Sequence, residues 1–253
     1  MTAPANEAVR IGLRYVRGLS EKKGAKEIGD ERKRGGPFRS LFDFVERTRL
    51  RREVIENLIA CGAFDYFGLE RRELIWQLGL VYRSEGRNKE QRQLVLPLPV
   101  EQDMVQLRPM SDWDKMRADY IILGMSPNMH PMSFLRLRLH EGIASTAMVE
   151  SFEDGKPIEV AGLVVCRQRP ETASGFIFMV IEDEFGLVNV VVKPDVYEAH
   201  RTLVRSEPFV IIRGELQRRD GVINLIAQSF VPLTAGGLSP TAHNFGTGHG
   251  GRH

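Results

Sequence analysis

The 253-residue chain is 42% hydrophobic and 27% charged with a formal net charge of +2, ordinary values for a globular protein of one to two domains, each able to bury a core. No apolar run is long enough to span a membrane, and Met1-Thr2-Ala3-Pro4-Ala5-Asn6 has no signal-peptide pattern, so a cytoplasmic protein without a membrane partner is expected. Two cysteines, Cys61 and Cys166, outside any C-x-x-C spacing, fit a reducing compartment and argue against a zinc site.

In chain order, Val9, Leu13 and Val16 at helical spacing predict a helix ending near Gly18. Ser20 is an N-cap residue type and opens a second helix carrying Lys22, Lys23 and Lys26. A loop is predicted at Lys33-Arg34-Gly35-Gly36-Pro37, then a helix with Phe38, Leu41, Phe42 and Val45 on one face and Ser40 as cap. Val54, Ile55, Leu58 and Ile59 form the next stripe, broken at Gly62, and a helix resumes at Arg71. Residues 83–112 are polar, and prolines at 97, 99 and 109 forbid a long helix there. Trp113, Met116, Tyr120 and Leu123 mark a helix stopped by Gly124, and a short helix is predicted from Ser133 to about His140.

From Ile158 the apolar period shortens to that of strands: 158–165, 176–181, 188–192, 209–216 and 222–230, with one helix from Asp195 to Val204 and a hairpin turn at Asp220-Gly221. Five strands with a helix between the third and fourth is the order of an OB-fold. The fold class is therefore multidomain α + β. An all-helical region with two glycine turns occupies 1–80, a linker 81–112, a helical connector 113–150, a five-stranded barrel 151–233 and a disordered tail 234–253.

The two glycine turns, Gly18-Leu19-Ser20 and Gly62-Ala63, each follow an amphipathic helix, the pattern of a helix-hairpin-helix. A helix N-terminus carries unpaired N–H groups and partial positive charge, and glycine lets a phosphate approach the backbone. Gly18, Leu19 and Ser20 with Lys22, Lys23 and Lys26 form one expected phosphate cradle; Gly62 and Ala63 with Arg71 and Arg72 form the other. The alternative is two ordinary glycine C-caps. Arg10 to Arg52 holds fourteen Lys/Arg against six Asp/Glu, an excess of eight, which tips the reading toward a polyanion. In the barrel, Arg167, Arg169, Arg213 and Phe176 are the expected contacts to single strands, with Phe178 read as core filling and Phe176 as more open. Gln93, Leu94, Leu96 and Leu98 form an apolar peptide in the polar linker, suited either to a partner's groove or to packing on a neighbouring domain.

Catalytic candidates are weak. Asp112, Asp114 and Asp119 read as a solvated helix face, Asp183 and Glu184 as turn residues, and His130 before a proline as structural. No site for catalysis, metal or cofactor is expected in this chain.

In combination these segments resemble a known family. Val9-Arg10-Ile11-Gly12-Leu13 through Gly18-Leu19-Ser20, Gly35-Gly36-Pro37-Phe38-Arg39-Ser40-Leu41-Phe42-Asp43-Phe44 and Leu58-Ile59-Ala60-Cys61-Gly62-Ala63-Phe64-Asp65 are similar to the helix-hairpin-helix region of bacterial C-family DNA polymerases. Tyr120-Ile121-Ile122-Leu123-Gly124 with His130-Pro131-Met132 resembles the following linker in the error-prone, damage-inducible branch, and Gln93 to Leu98 resembles a clamp-binding peptide. The resemblance implies the DNA-binding C-terminal portion of a translesion polymerase. Its partners would be duplex and single-stranded DNA, the sliding clamp and other translesion proteins. The palm, with its catalytic aspartates and Mg2+, would precede Val9. The rival expectations are a stand-alone, non-enzymatic DNA-binding accessory protein and an RNA-binding module.

Overall fold

The computed structural model describes residues 11–20, 24–85, 107–219, 221–234 and 243–245. The chain forms two compact units that divide between Pro127 and Asn128. The boundary falls inside the stretch read as one connector.

The first unit is helical: α1 (Lys26–Gly35), α2 (Leu41–Thr48), α3 (Arg52–Ala60), α4 (Arg71–Glu85) and α5 (Asp112–Leu123). Of the helix expected before Gly18, the described part is a single 3-10 turn at Leu13–Tyr15, and α1 runs through Gly35 into the expected loop. Caps fix the ends of α2 and α5. Ser40 and Ser111 accept hydrogen bonds from the amides of Asp43 and Asp114, at 3.1 and 3.2 Å, and Gly124, in the left-handed region at φ 76°, closes α5. Phe44 meets Phe38 and Phe64 edge to face, each with ring centroids 4.8 Å apart. Leu41, Ile55, Leu58, Ile59, Leu74 and Leu78 complete the core around them. Val16 and Leu19 of the first turn are buried in the same core.

The second unit opens with α6 (Pro131–Leu135), whose first turn is pre-set by Pro131 and capped by His130 Nδ1, which accepts from the Met132 amide at 3.1 Å. A 3-10 turn follows at Arg136–Arg138, so the predicted helix begins earlier and breaks sooner. After β1 (Ile143–Ala144) and α7 (Thr146–Val149) come β2 (Pro157–Gln168), β3 (Ile177–Glu182) and β4 (Leu187–Val192). The single helix predicted next is two, α8 (Pro194–Ala199) and α9 (Arg201–Ser206), broken at His200; then β5 (Phe209–Arg219) and β6 (Val222–Pro232). Pairing runs β2–β3–β4–β6–β5 and returns to β2, antiparallel except for β4–β6, which closes a five-stranded barrel. A further strand, β7 (His243–Phe245), pairs in parallel with β2, within the stretch expected to be a disordered tail.

Val160, Val164, Met179, Ile181, Val190, Ile212 and Leu225 fill the barrel. Asp183 fastens α7 to the β3–β4 turn. Its buried carboxylate accepts from the Thr146 amide at 2.8 Å, the Thr146 hydroxyl, the Phe185 and Gly186 amides at 2.9 and 3.2 Å, and Arg136 at 2.8 Å. Arg136 also pairs with Glu184. Both acids are thus committed to scaffolding.

The β5–β6 pairing shifts register at a bulge between Arg213 and Gly214. A Cβ on Gly214 would lie 2.3 Å from the Ile226 carbonyl oxygen, a backbone atom that cannot swing aside. Gly214→Ala is therefore expected to destabilise the protein by about 1–3 kcal/mol, read as a lowered midpoint in urea denaturation.

Candidate nucleic-acid interface

The first glycine turn is built from the core outward. Leu19 is buried and anchors the turn from below, and Gly24 lets the chain entering α1 lie on it, since a Cβ there would come within 2.6 Å of Leu19 Cδ1. The Arg17 amide bonds the Ile122 carbonyl at 3.0 Å and the Arg17 carbonyl accepts from Asn57 Nδ2 at 2.9 Å, so α5 and α3 hold the turn from both sides. Gly18 adopts φ 81°, a conformation glycine takes without strain. Gly18 and Ser20 are exposed, and among the described residues their amides have no backbone acceptor. Lys26, also exposed, opens α1 just beyond them. Lys22 and Lys23 lie outside the described residues.

The second turn has the same outline and a different internal economy. Gly62 adopts φ 79°, but its amide donates to Ile59 O at 3.0 Å and the Ala63 amide to Leu58 O at 2.9 Å. These two bonds close a Schellman cap on α3, so both donors are consumed. Arg71 is not available to a phosphate either. It is buried, pairs with Asp65 through bonds of 3.0 and 2.8 Å, donates to Ala60 O at 2.8 Å and lies 3.8 Å from Asp119. Burial opposes its charge, but Asp65 and Asp119 more than offset this and raise its pKa above the usual guanidinium value. Asp119 is raised in turn, by burial, against the stabilising Ser126 hydroxyl and Arg71. It belongs to an internal ion cluster rather than the solvated face expected. Burial also pushes the nearby Cys61 thiol up to about 11. Arg72 remains exposed and bonds the Arg108 carbonyl at 2.9 Å. The clamp-like residues Gln93, Leu94, Leu96 and Leu98 lie outside the described residues.

On the barrel, the outward face of β2, β3, β4 and β6 forms a groove of about 200 Å³ lined by Cys166, Gln168, Phe178, Val180, Asn189, Val191 and Asn224. Phe178 does not fill the core as expected from sequence. Phe178 is 39% exposed in this groove, while Ile177, Met179 and Ile181 point inward; Phe176 is half-buried before β3 begins. Of the predicted arginines, Arg167 is half-buried and donates to the Val204 carbonyl at 2.8 Å and to the Glu207 carbonyl, which caps α9; burial lowers its pKa. Arg169 is exposed, with its guanidinium 5.0 Å from the Tyr197 ring centre. Arg213 is exposed on β5 opposite Glu159, on the β2–β5 flank. The structure therefore does not gather the three arginines. Sequence reading missed Gln168, Asn189 and Asn224; alternation with inward apolar residues marks Asn189 and Asn224 as outward-facing, whereas Gln168 sits between Arg167 and Arg169 and carries no such signal.

Two family models match: "Helix-hairpin-helix motif" over residues 1–74 and "OB-fold nucleic acid binding domain" over 158–233. The chain is 38% identical over 233 residues to an error-prone DNA polymerase of Anaeromyxobacter sp. (strain K), which covers 91% of this chain and 20% of that protein. Nine-tenths of this chain resembles error-prone DNA polymerases. Another, from Bdellovibrio bacteriovorus, is 37% identical over 246 residues, covering 90% of this chain and 23% of its own length. The chain thus spans about a fifth of the length of the polymerases it matches, at their C-terminal end. Among solved structures, asparaginyl-tRNA synthetase from Pyrococcus horikoshii aligns at 22% identity and TM-score 0.33, over 38% of this chain and 23% of the synthetase.

The role of Arg71 separates it from its neighbour. Arg71→Ala strands the Asp119 carboxylate and the Ala60 carbonyl, and is expected to cost about 3–5 kcal/mol. Arg72→Ala should cost less than about 1 kcal/mol. Urea denaturation of the two variants checks this; equal costs would show that the buried cluster has no special weight.

Proposed function

We propose that this chain is the DNA-gripping portion of an error-prone DNA polymerase, holding duplex through the first glycine turn and single-stranded template on the barrel groove. The observation that carries the reading is the Gly18-Leu19-Ser20 turn. Two exposed residues, whose amides have no backbone acceptor among the described residues, precede a helix whose first residue is an exposed lysine. Backbone amides at a helix N-terminus bind phosphate oxygens irrespective of sequence, which suits a protein that must move along DNA. The groove supplies the complementary chemistry. Phe178 offers a ring for a base to stack on, and the Gln168, Asn189 and Asn224 amides border it.

The sequence likeness to error-prone polymerases supports extending the reading to translesion synthesis during DNA repair in the cytoplasm. Gln93 to Leu98 would then recruit the sliding clamp. Nucleotide incorporation and its Mg2+ ions are assigned to the remainder of such a polymerase, and these residues contribute the hold on the substrate.

Binding to a fluorescent primer–template should weaken linearly in log–log form as salt rises, with a slope of about −0.9 per phosphate neutralised. Lys26→Ala should reduce the magnitude of that slope by about 1. Phe178→Ala should weaken binding to a single-stranded oligonucleotide by about 1–3 kcal/mol, roughly 5- to 150-fold. Salt-independent affinity, or a Phe178→Ala variant indistinguishable from the parent, would overturn the reading. Tighter binding to RNA of equal length would transfer it to RNA.

A further inference from the structure

The edges of β2 are shared among four partners. One edge pairs with β1 at Glu159 and Val160 and then with β3, at Cys166, Arg167 and Gln168 among other positions. The other pairs with β5 from Pro157 to Leu163, and its last bond to that side runs from the Val164 amide to the Pro208 carbonyl at 2.8 Å. Beyond that point β5 has left, and β2 continues to Gln168 with its second edge open. Open edges present unpaired N–H and C=O groups and recruit another strand. Here the recruit is β7, which pairs in parallel with Cys166, Arg167 and Gln168. Cys166 and Gln168 are the β2 residues that line the Phe178 groove.

From this juxtaposition we infer that β7 is a working part of the nucleic-acid face, the outermost strand of a platform that runs β7–β2–β3–β4–β6. The inference rests on the barrel groove being the single-strand site. A strand adds about 4.8 Å to the width of a sheet, against a spacing of about 3.4 Å per nucleotide along a stacked strand. The C-terminal strand therefore lengthens the track by about one nucleotide. A strand that only shielded the edge from aggregation would leave the track unchanged.

The test measures binding of oligo-dT of increasing length to the full chain, to a chain truncated after Thr234, and to Asn244→Pro. Proline removes an N–H and does not sit inside a paired strand, so this variant disturbs β7 while keeping the chain complete. Thermal melting of each variant confirms an intact barrel, and Phe178→Ala serves as the control for the groove. The expected result is that affinity stops rising at a length about one nucleotide shorter in both β7 variants, with several-fold weaker binding at saturating length. Binding by the parent that depends on Phe178 but is unchanged in both β7 variants would overturn the role of β7 and leave the groove standing. Tighter binding in the variants would make β7 a competitor and overturn it also. A parent that binds no single strand would overturn both.

Discussion

A guanidinium buried at the base of the helical unit determines how its two glycine turns differ. Arg71 reaches the last turn of α3 through the Ala60 carbonyl, the following turn through Asp65, and α5 through Asp119. A charge this deep is tolerable only with its hydrogen bonds met, so the surrounding backbone must close upon it. Gly62 exists for that closure: a Cβ there would meet Arg71 Nη2 at 2.3 Å. The second turn is thereby spent on stability. The first turn, held by Leu19 below and by Asn57 and Ile122 at its sides, leaves Gly18 and Ser20 exposed.

The barrel divides its labour in a similar way. Inside, branched aliphatic side chains fill the space. On one flank Asp183 and Arg136 bind the preceding helical segment to the β3–β4 turn, and Arg167 closes the end of α9. Those charges are satisfied internally. What the groove on β2, β3, β4 and β6 presents is the Phe178 ring beside Cys166, Val180 and Val191, bordered by the neutral amides of Gln168, Asn189 and Asn224. Such a surface favours the flat face and polar edge of an unstacked base over a phosphate. On the proposed reading, phosphate attraction falls mainly to the helical unit, whose segment from Arg10 to Arg52 holds an excess of basic residues.

The element order and the OB-fold topology were legible in the sequence, because the change from helical to alternating period is strong and the glycines and prolines punctuate it. The site residues were less so. In Phe176-Ile177-Phe178-Met179-Val180-Ile181 both parities are apolar, and alternation alone does not tell which faces inward; the barrel took Ile177, Met179 and Ile181. Arg71 looked like a surface cation because its burial depends on packing against α5, whose Asp119 is far along the chain, although its hydrogen-bond partners Asp65 and Ala60 lie close by in sequence. The arginines of the barrel are spread because each follows the local need of a helix end, a ring or a strand flank. The Schellman cap at Gly62 was foreseen as an alternative, and local sequence could not decide between cap and cradle because both require the same left-handed glycine.

Backbone amide resonances report directly on the difference between the two glycine turns. Titrating the isotopically labelled protein with a short blunt duplex should shift the Gly18 and Ser20 amide signals progressively, and the shifts should collapse at high salt. The Gly62 and Ala63 amides, already bonded to Ile59 and Leu58, should stay in place. Movement of Gly62 and Ala63 with Gly18 and Ser20 unaffected would contradict the assignment of the phosphate grip to the first turn.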